Sequence, residues 1–388
     1  MKWYKLLSVI AVSCCIACTP NEPGDNGNEN NDNNSSNTDT PGTSTLPETR
    51  LVGADLSQWK AYHNDHAEWY SNGKAIDNLP AFFADNGYSI ARLRLFVNPD
   101  LNSTACQDLQ YVIESARAMR DAGMSICLDF HYSDTWADPG RQDKPTAWQS
   151  LDAVELAHRV YQYTQETLLA LQAENIAPTH IQIGNEITAG MLWDTGRVGV
   201  WDESYNTPRQ WSNFTSLLSN AAKACRKVCP DAKIIIHTDR GGDSATAVRY
   251  YNKVANIDYD VIGLSYYPYW HGPLSQLSNT VNQLSTHYPS KEIMIMETGF
   301  GYNQWSDDSA STSYGNYAST PEGQKNMLTD LVATLKPYKN VTGLFYWFPE
   351  ETLIDWRSTY RIDLNRGLFD KETGEVLPAF YTLPQFGK

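Results

Sequence analysis

The sequence predicts a single (β/α)₈ barrel that follows an unstructured leader. Three observations predict it. Eight short apolar runs alternate with helical patterns over residues 50–388, the rhythm of strands that are covered on both sides by helices. The first run ends in Ala54-Asp55-Leu56-Ser57, without the glycine-rich phosphate loop of a doubly wound sheet. Two of the runs end in a glutamate, Glu186 and Glu297, and in a barrel the strand ends converge on one face however far apart they lie in sequence.

The strands are expected near 51–55, 89–95, 124–130, 180–185, 233–237, 259–265, 292–297 and 341–347, several of them continuous Ile, Val, Leu and Met. Leu109, Val112, Ile113, Ala116 and Met119 keep helical spacing and stop at Gly123, a residue that suits the left-handed turn after a helix. Leu151, Val154, Tyr161, Leu168 and Leu171 repeat the pattern. Thr320-Pro321-Glu322 opens a helix through Leu328, Leu331, Val332 and Leu335 that Pro337 ends.

Lys2 and Lys5 precede an apolar run, Leu6 to Ala17, that is too short to span a bilayer and has the layout of a secretory signal. Cys18 after Ile16-Ala17 is similar to a bacterial lipobox cysteine, with Cys14 a second candidate and a plain cleaved signal peptide the alternative. Residues 19–49 are nearly all Asn, Asp, Glu, Gly, Pro, Ser and Thr, a composition that cannot bury enough apolar surface to order itself. The expected organisation is a signal over 1–17, a lipid-anchored tether over 18–49 and one catalytic domain over 50–388. The membrane partner is then reached only through Cys18, and the location is the cell envelope, an outer-membrane lipoprotein facing the cell surface, with a secreted or periplasmic protein as the alternative.

The formal net charge is −15 and no basic cluster follows the signal, which excludes nucleic acid as a partner. Cys106, Cys127, Cys225 and Cys229 show no metal-ligand spacing. They read as structural thiols, or as one disulfide in the case of Cys225 and Cys229. His131, His237 and His271 lack an H-x-H or H-E-x-x-H pattern, so hydrogen bonding in the cleft is expected of them rather than metal binding.

Two convergent carboxyls suit glycoside hydrolysis. Glu186 is expected to start protonated and donate to the leaving oxygen. Glu297 is expected to stay ionised and attack the anomeric carbon, the two about 5–5.5 Å apart if the anomeric configuration is retained. Asn185 is placed to bond the sugar 2-hydroxyl. Polar and aromatic residues gather at the other strand ends: Asp55, Arg92, Arg94, Asp129, His131, His237, Tyr266, Tyr267, Tyr346 and Trp347. An ion pair of Arg94 with Asp55 or with a catalytic carboxylate is expected among them, and Trp347 is expected to stack on a sugar ring. Trp59, Trp136, Trp193, Trp201, Trp270, Trp305 and Trp356 fall mostly in loops or at strand ends.

The run Asp129-Phe-His-Tyr-Ser-Asp-Thr-Trp-Ala-Asp-Pro139, continuing to Trp148, resembles the signature after the third strand of the glycoside hydrolase family 53 endo-β-1,4-galactanases. Gln182 to Ile187, Ser265 to Gly272, Met296 to Gly299, Gly53 to Ser57, Arg92-Leu-Arg94 and Gly367 to Asp370 follow the same family in order. The resemblance implies retaining endo-cleavage of β-1,4-galactan, the side chain of pectin, with Glu186 as acid/base and Glu297 as nucleophile. It also draws Asp134 and Trp136 into the substrate-binding set. Some members hold calcium in the loop after the seventh strand; here that loop, Tyr302 to Ala310, departs from their pattern, leaving Asp307 and Asp308 as candidates for a structural calcium and no catalytic cofactor expected. Rival readings are a β-mannanase or cellulase barrel, a non-catalytic surface glycan-binding lipoprotein and a metal-dependent amidohydrolase.

Overall fold

Eight parallel strands close into a barrel in the computed structural model, which describes residues 49–200, 202–303, 313–355 and 357–388. They are β1 (Leu51–Asp55), β2 (Ile90–Leu95), β3 (Ser125–Phe130), β4 (His180–Ile183), β5 (Lys233–Thr238), β6 (Val261–Tyr266), β7 (Glu292–Thr298) and β8 (Val341–Trp347). Each pairs with its sequence neighbours, and β1 closes the ring by pairing with both β2 and β8. All eight expected strands are present, with ends that shift by no more than two residues.

Seven helices alternate with them: α1 (Leu79–Asp85), α2 (Leu109–Asp121), α3 (Ala153–Ala173), α4 (Pro208–Val228), α5 (Ser244–Lys253), α6 (Leu274–His287) and α7 (Pro321–Leu335). Their starts are set by local chemistry. The Asp108 carboxylate accepts from the Tyr111 amide at 2.8 Å, Asp152 and Glu155 form a reciprocal capping box, and Thr320 caps α7 with Pro321 in its first turn. Gly123 takes φ +87° just after α2, as its role as helix stop requires. After β8 the chain ends in two 3₁₀ turns, Pro378–Tyr381 and Leu383–Gly387, whose Phe380, Leu383 and Phe386 are buried.

Strand alternation divides the side chains into two cores. Leu51, Ile90, Cys127, Ile235, Val261, Met294, Met296 and Phe345 fill the barrel interior, and a larger apolar layer lies between strands and helices. The interior leaves no room for a side chain at Gly53: a Cβ there would lie 2.0 Å from the Phe345 ring, its register partner on β8. Above this apolar floor the inward positions become polar, and that change of composition places the site.

The signal, Cys18, the tether, Asp307, Asp308, Trp201, Trp305 and Trp356 lie outside the described residues. Cys106, Cys127, Cys225 and Cys229 are free thiols, which removes the disulfide reading of Cys225 and Cys229. Among the described residues no helix is long and apolar enough to cross a membrane, and no group of three or more His, Cys, Asp or Glu side chains is arranged to hold a metal ion.

Candidate active site

Inward polar residues from the C-terminal ends of several strands join one network centred on Arg92. Its guanidinium, 0% exposed, sits 2.8 Å from Asp55 Oδ2, 2.9 Å from Asp129 Oδ2 and 2.9 Å from Glu297 Oε1. It also donates to Asn185 Oδ1 at 2.8 Å and to Gln182 Oε1 at 3.2 Å. One buried cation thus holds three carboxylates from β1, β3 and β7, a cluster that would be too costly to bury unpaired. Arg94, one inward position further along β2, pairs with Asp55 Oδ1 at 2.9 Å, as the sequence led us to expect, and its guanidinium lies 4.7 Å from the Trp136 ring.

Glu297 reaches this centre because β7 bulges. Met294 and Met296 point inward, so strict alternation would turn Glu297 outward. The β6–β7 register slips between Leu264 and Ser265, which face Ile295 and Glu297 in turn. The extra residue re-aims the strand end and brings Glu297 inward beside Ser265. There the Tyr267 hydroxyl donates to Glu297 Oε2 at 2.9 Å. Burial raises the Glu297 carboxyl above its ordinary range, while Arg92 and the Tyr267 hydrogen bond act against that rise.

Glu186 follows β4 in a left-handed conformation, φ 49° and ψ 48°, an uncommon region for a residue with a side chain. Its Oε1 accepts from the Ser265 hydroxyl at 2.6 Å. Among the described residues no cation pairs with it to offset its burial, and Glu297, Asp239 and Asp138 add negative charge around it. Its carboxyl is therefore pushed well above the ordinary range, further than Glu297. The pair thus consists of one carboxyl that burial and neighbouring anions favour in the protonated form and one that is ion-paired with Arg92. That combination supplies both a proton donor and a nucleophile.

Other expected site residues divide by depth. Asn185 donates to Ala137 O at 2.8 Å and turns its Oδ1 to Arg92, so it is fixed beside Glu186. Asp129, 0% exposed, accepts from Gln182 at 2.6 Å and lies 3.1 Å from His131 Nε2; burial works to raise it, but Arg92 and His131 outweigh that and hold it below its ordinary value. His131 Nδ1 accepts from the Ala137 amide at 3.1 Å, and His237 is fully buried with both ring nitrogens engaged. Arg94, Asp129, His131 and His237, all expected in the substrate-binding set, are therefore buried side chains that orient other groups of the network. Asp134 knits the loop after β3 by accepting from the amides of Asn98 and Thr146 at 3.1 and 2.8 Å.

Tyr266, expected in the same set, lies away from this network. It occupies an outward position of β6, is 0% exposed, and its hydroxyl donates to Gly272 O at 2.8 Å within the helical layer. Tyr346 on β8 turns outward by the same parity and donates to Arg366 O at 2.5 Å. The inward partners Tyr267 and Trp347 do face the cleft. Trp347 is half-buried, packs edge-to-face with Trp136 at 6.4 Å, and lies 4.9 Å from the Arg366 guanidinium. Glu351 holds the loop of Arg366 through the amides of Leu364, Asn365, Arg366 and Gly367 at 2.8–3.1 Å.

Sequence reasoning placed Arg92 among the strand-end residues without a role, and Gln182 and Ser265 in motifs without assigning them to the site. Strand parity was the available signal: all three share the inward face with residues that were assigned.

The sequence model of the family described as Glycosyl hydrolase family 53 matches residues 51–383. A protein of Niallia circulans described as uncharacterised, from the bgaB 5′ region, is 37% identical over 313 residues, 78% of this chain and 84% of that one. An arabinogalactan endo-beta-1,4-galactanase of Thermothelomyces thermophilus is 33% identical over 294 residues, 72% of this chain and 82% of its own. Among solved structures, an Ignisphaera aggregans GH53 catalytic domain superposes with a TM-score of 0.76 at 29% identity, covering 88% of this chain and 97% of that chain.

Proposed function

The chain belongs to glycosyl hydrolase family 53, and from that membership together with the site we propose that it cleaves β-1,4-linked galactan internally with retention of anomeric configuration. The observation that carries this reading is the contrast between the two carboxyls: Glu297 is tied to Arg92 at 2.9 Å, whereas Glu186 accepts from the Ser265 hydroxyl and has no ion-pair partner among the described residues. Glu186 donates its proton to the leaving oxygen while Glu297 attacks the anomeric carbon. Glu186 then takes a proton from the water that releases the glycosyl group from Glu297. The Tyr267 hydroxyl steadies the nucleophile, and Arg92 offsets its charge, while Asp55 and Asp129, paired to the same guanidinium, act against that. Trp347 and Trp136 offer apolar faces for the C–H side of a galactose ring.

The test is hydrolysis of linear galactan followed by NMR of the first products. Short β-galacto-oligosaccharides with retained anomeric configuration are expected, Glu297→Gln should be inactive, and Glu186→Gln should lose most activity on substrates with poor leaving groups. Inverted products, or cleavage of mannan or cellulose in preference to galactan, would refute the reading. Surface attachment through Cys18 is part of the same proposal, supported by the Lys-flanked apolar run and the polar tether. A polymer must be cut before import, which favours an enzyme that faces outward. A structural calcium at Asp307 and Asp308 rests on sequence alone.

A further inference from the structure

Three groups form a closed circuit around one glutamate. The Glu186 amide points at His237 Nδ1, 3.4 Å away; His237 Nε2 lies 2.9 Å from Ser265 Oγ; and the Ser265 hydroxyl donates to Glu186 Oε1 at 2.6 Å. The direction of every bond in it follows from its neighbours. Asn185 Oδ1, 3.1 Å from His237 Nδ1, already accepts from Arg92 and from Gln182 at 3.2 Å, which uses both of its lone pairs. His237 Nδ1 is thus left as the acceptor for the Glu186 amide, the imidazole hydrogen sits on Nε2, and Nε2–H donates to Ser265. With its oxygen so occupied, the Ser265 hydroxyl hydrogen has one remaining target, Glu186 Oε1. This tautomer is assigned from the hydrogen-bond network.

We infer that Ser265 and His237 are positioning residues that fix which oxygen of Glu186 carries the exchangeable proton. Because Oε1 always faces a donor, the proton resides on Oε2. The circuit keeps one polarity whether Glu186 is protonated or ionised, so the same two residues serve both half-reactions without turning a ring or changing tautomer. It also ties the left-handed backbone of residue 186 to its own side chain. The inference rests on the acid/base reading of Glu186 given above and deepens it.

The charged and titratable groups around the circuit come from several elements. Glu297, Asp239 and Asp138 face Glu186, while Arg92, Asp129 and His131 face His237. Burial and Arg92 keep His237 neutral, its pKa well below the ordinary value. Ser265 hydrogen-bonds both members of the His237–Glu186 pair.

Ser265→Ala is the decisive variant because it removes a donor and leaves the charges in place. Losing a hydrogen bond to the ionised carboxylate should raise the basic limb of the kcat/KM profile by about one pH unit. It should also lower kcat on galactan roughly 10-fold through misorientation of Oε2. On a nitrophenyl β-galactobioside, whose leaving group needs little protonation, the loss should be much smaller. Ser265→Thr, which keeps the hydroxyl, should return the basic limb to its original position. A purely structural serine would lower the melting temperature and leave the midpoint of that limb unmoved. A folded Ser265→Ala enzyme with an unmoved basic limb therefore overturns the inference. Glu186→Gln run in parallel separates the two claims: if it hydrolyses galactan normally, the acid/base reading itself is what fails.

Discussion

At Trp347 the question is whether a side chain serves substrate or packing. The residue ends β8 on the inward face, half-buried, with Trp136 at its edge and Arg366 over its ring. A platform that is half open should be worth little to folding and more to the transition state. We expect Trp347→Ala to lower kcat/KM on galactan roughly 10-fold or more with a nearly unchanged melting temperature, whereas loss of a core aromatic typically costs about 3–5 kcal/mol. If Trp347→Phe melts much earlier yet hydrolyses galactan normally once folded, Trp347 is packing.

Glu350 poses the opposite problem. It is 0% exposed, its Oε1 accepts from the Gln58 amide at 2.9 Å, its Oε2 has no partner among the described residues, and burial, with Asp55 adding, pushes its carboxyl up to about 8. A carboxyl raised on folding binds more protons in the native chain than in the unfolded one. Stability is therefore undiminished below the unfolded value of about 4.3 and falls as pH rises toward 8. Glu350→Gln should leave the melting temperature near pH 4–5 little changed and raise it at pH 8–9. An equal change at both pH values would show that Glu350 is ionised in the native protein.

Among single residues, the two glutamates were legible because each closes an apolar strand, a position with a geometric meaning. Ser265 was not, since one serine before two tyrosines carries no periodic signal. The outward face of Tyr266 was not legible either, because a shift of one residue exchanges the faces of a strand.

The elements were more legible than their faces. All eight strands, the stop of α2 at Gly123 and the capped start of α7 follow from apolar runs and cap chemistry, both written locally in the chain. The β7 bulge was hidden, because Ile293-Met294-Ile295-Met296 reads as an unbroken run and only pairing with β6 reveals the extra residue. Close approaches between strands were hidden for the same reason. Gly53 on β1 accommodates the Phe345 ring of β8 with no space to spare. Gly53→Ala should destabilise by about 1–3 kcal/mol or more, as overpacking does in a close-packed core. Phe345→Leu in the same chain should recover part of that loss, since coupled neighbours are non-additive. Equal and additive losses, measured by urea denaturation, would mean that the strain lies elsewhere.

For the whole molecule, the composition change near residue 49 predicts where the folded body begins. Leu51 to Asp55 pair along their full length with Gly343 to Trp347 of β8, and Gly53 to Asp55 pair with β2 as well. Just before them, Arg50 donates to Tyr338 O at 3.3 Å, and its guanidinium lies 5.2 Å from the Phe386 ring of the last turn. The two ends of the barrel domain thus meet at β1, and a barrel has no spare edge: removing β1 exposes the unpaired backbones of both β2 and β8. A chain that starts at residue 49 should keep the melting temperature and the galactan kcat/KM of the full chain, while one that starts at residue 56 should not fold. If removing residues 1–48 lowers kcat/KM on galactan but not on a short galacto-oligosaccharide, the polar segment contributes to binding the polymer and is more than a tether. If it lowers the melting temperature by several degrees, the segment packs on the barrel, and the domain boundary at residue 50 is wrong.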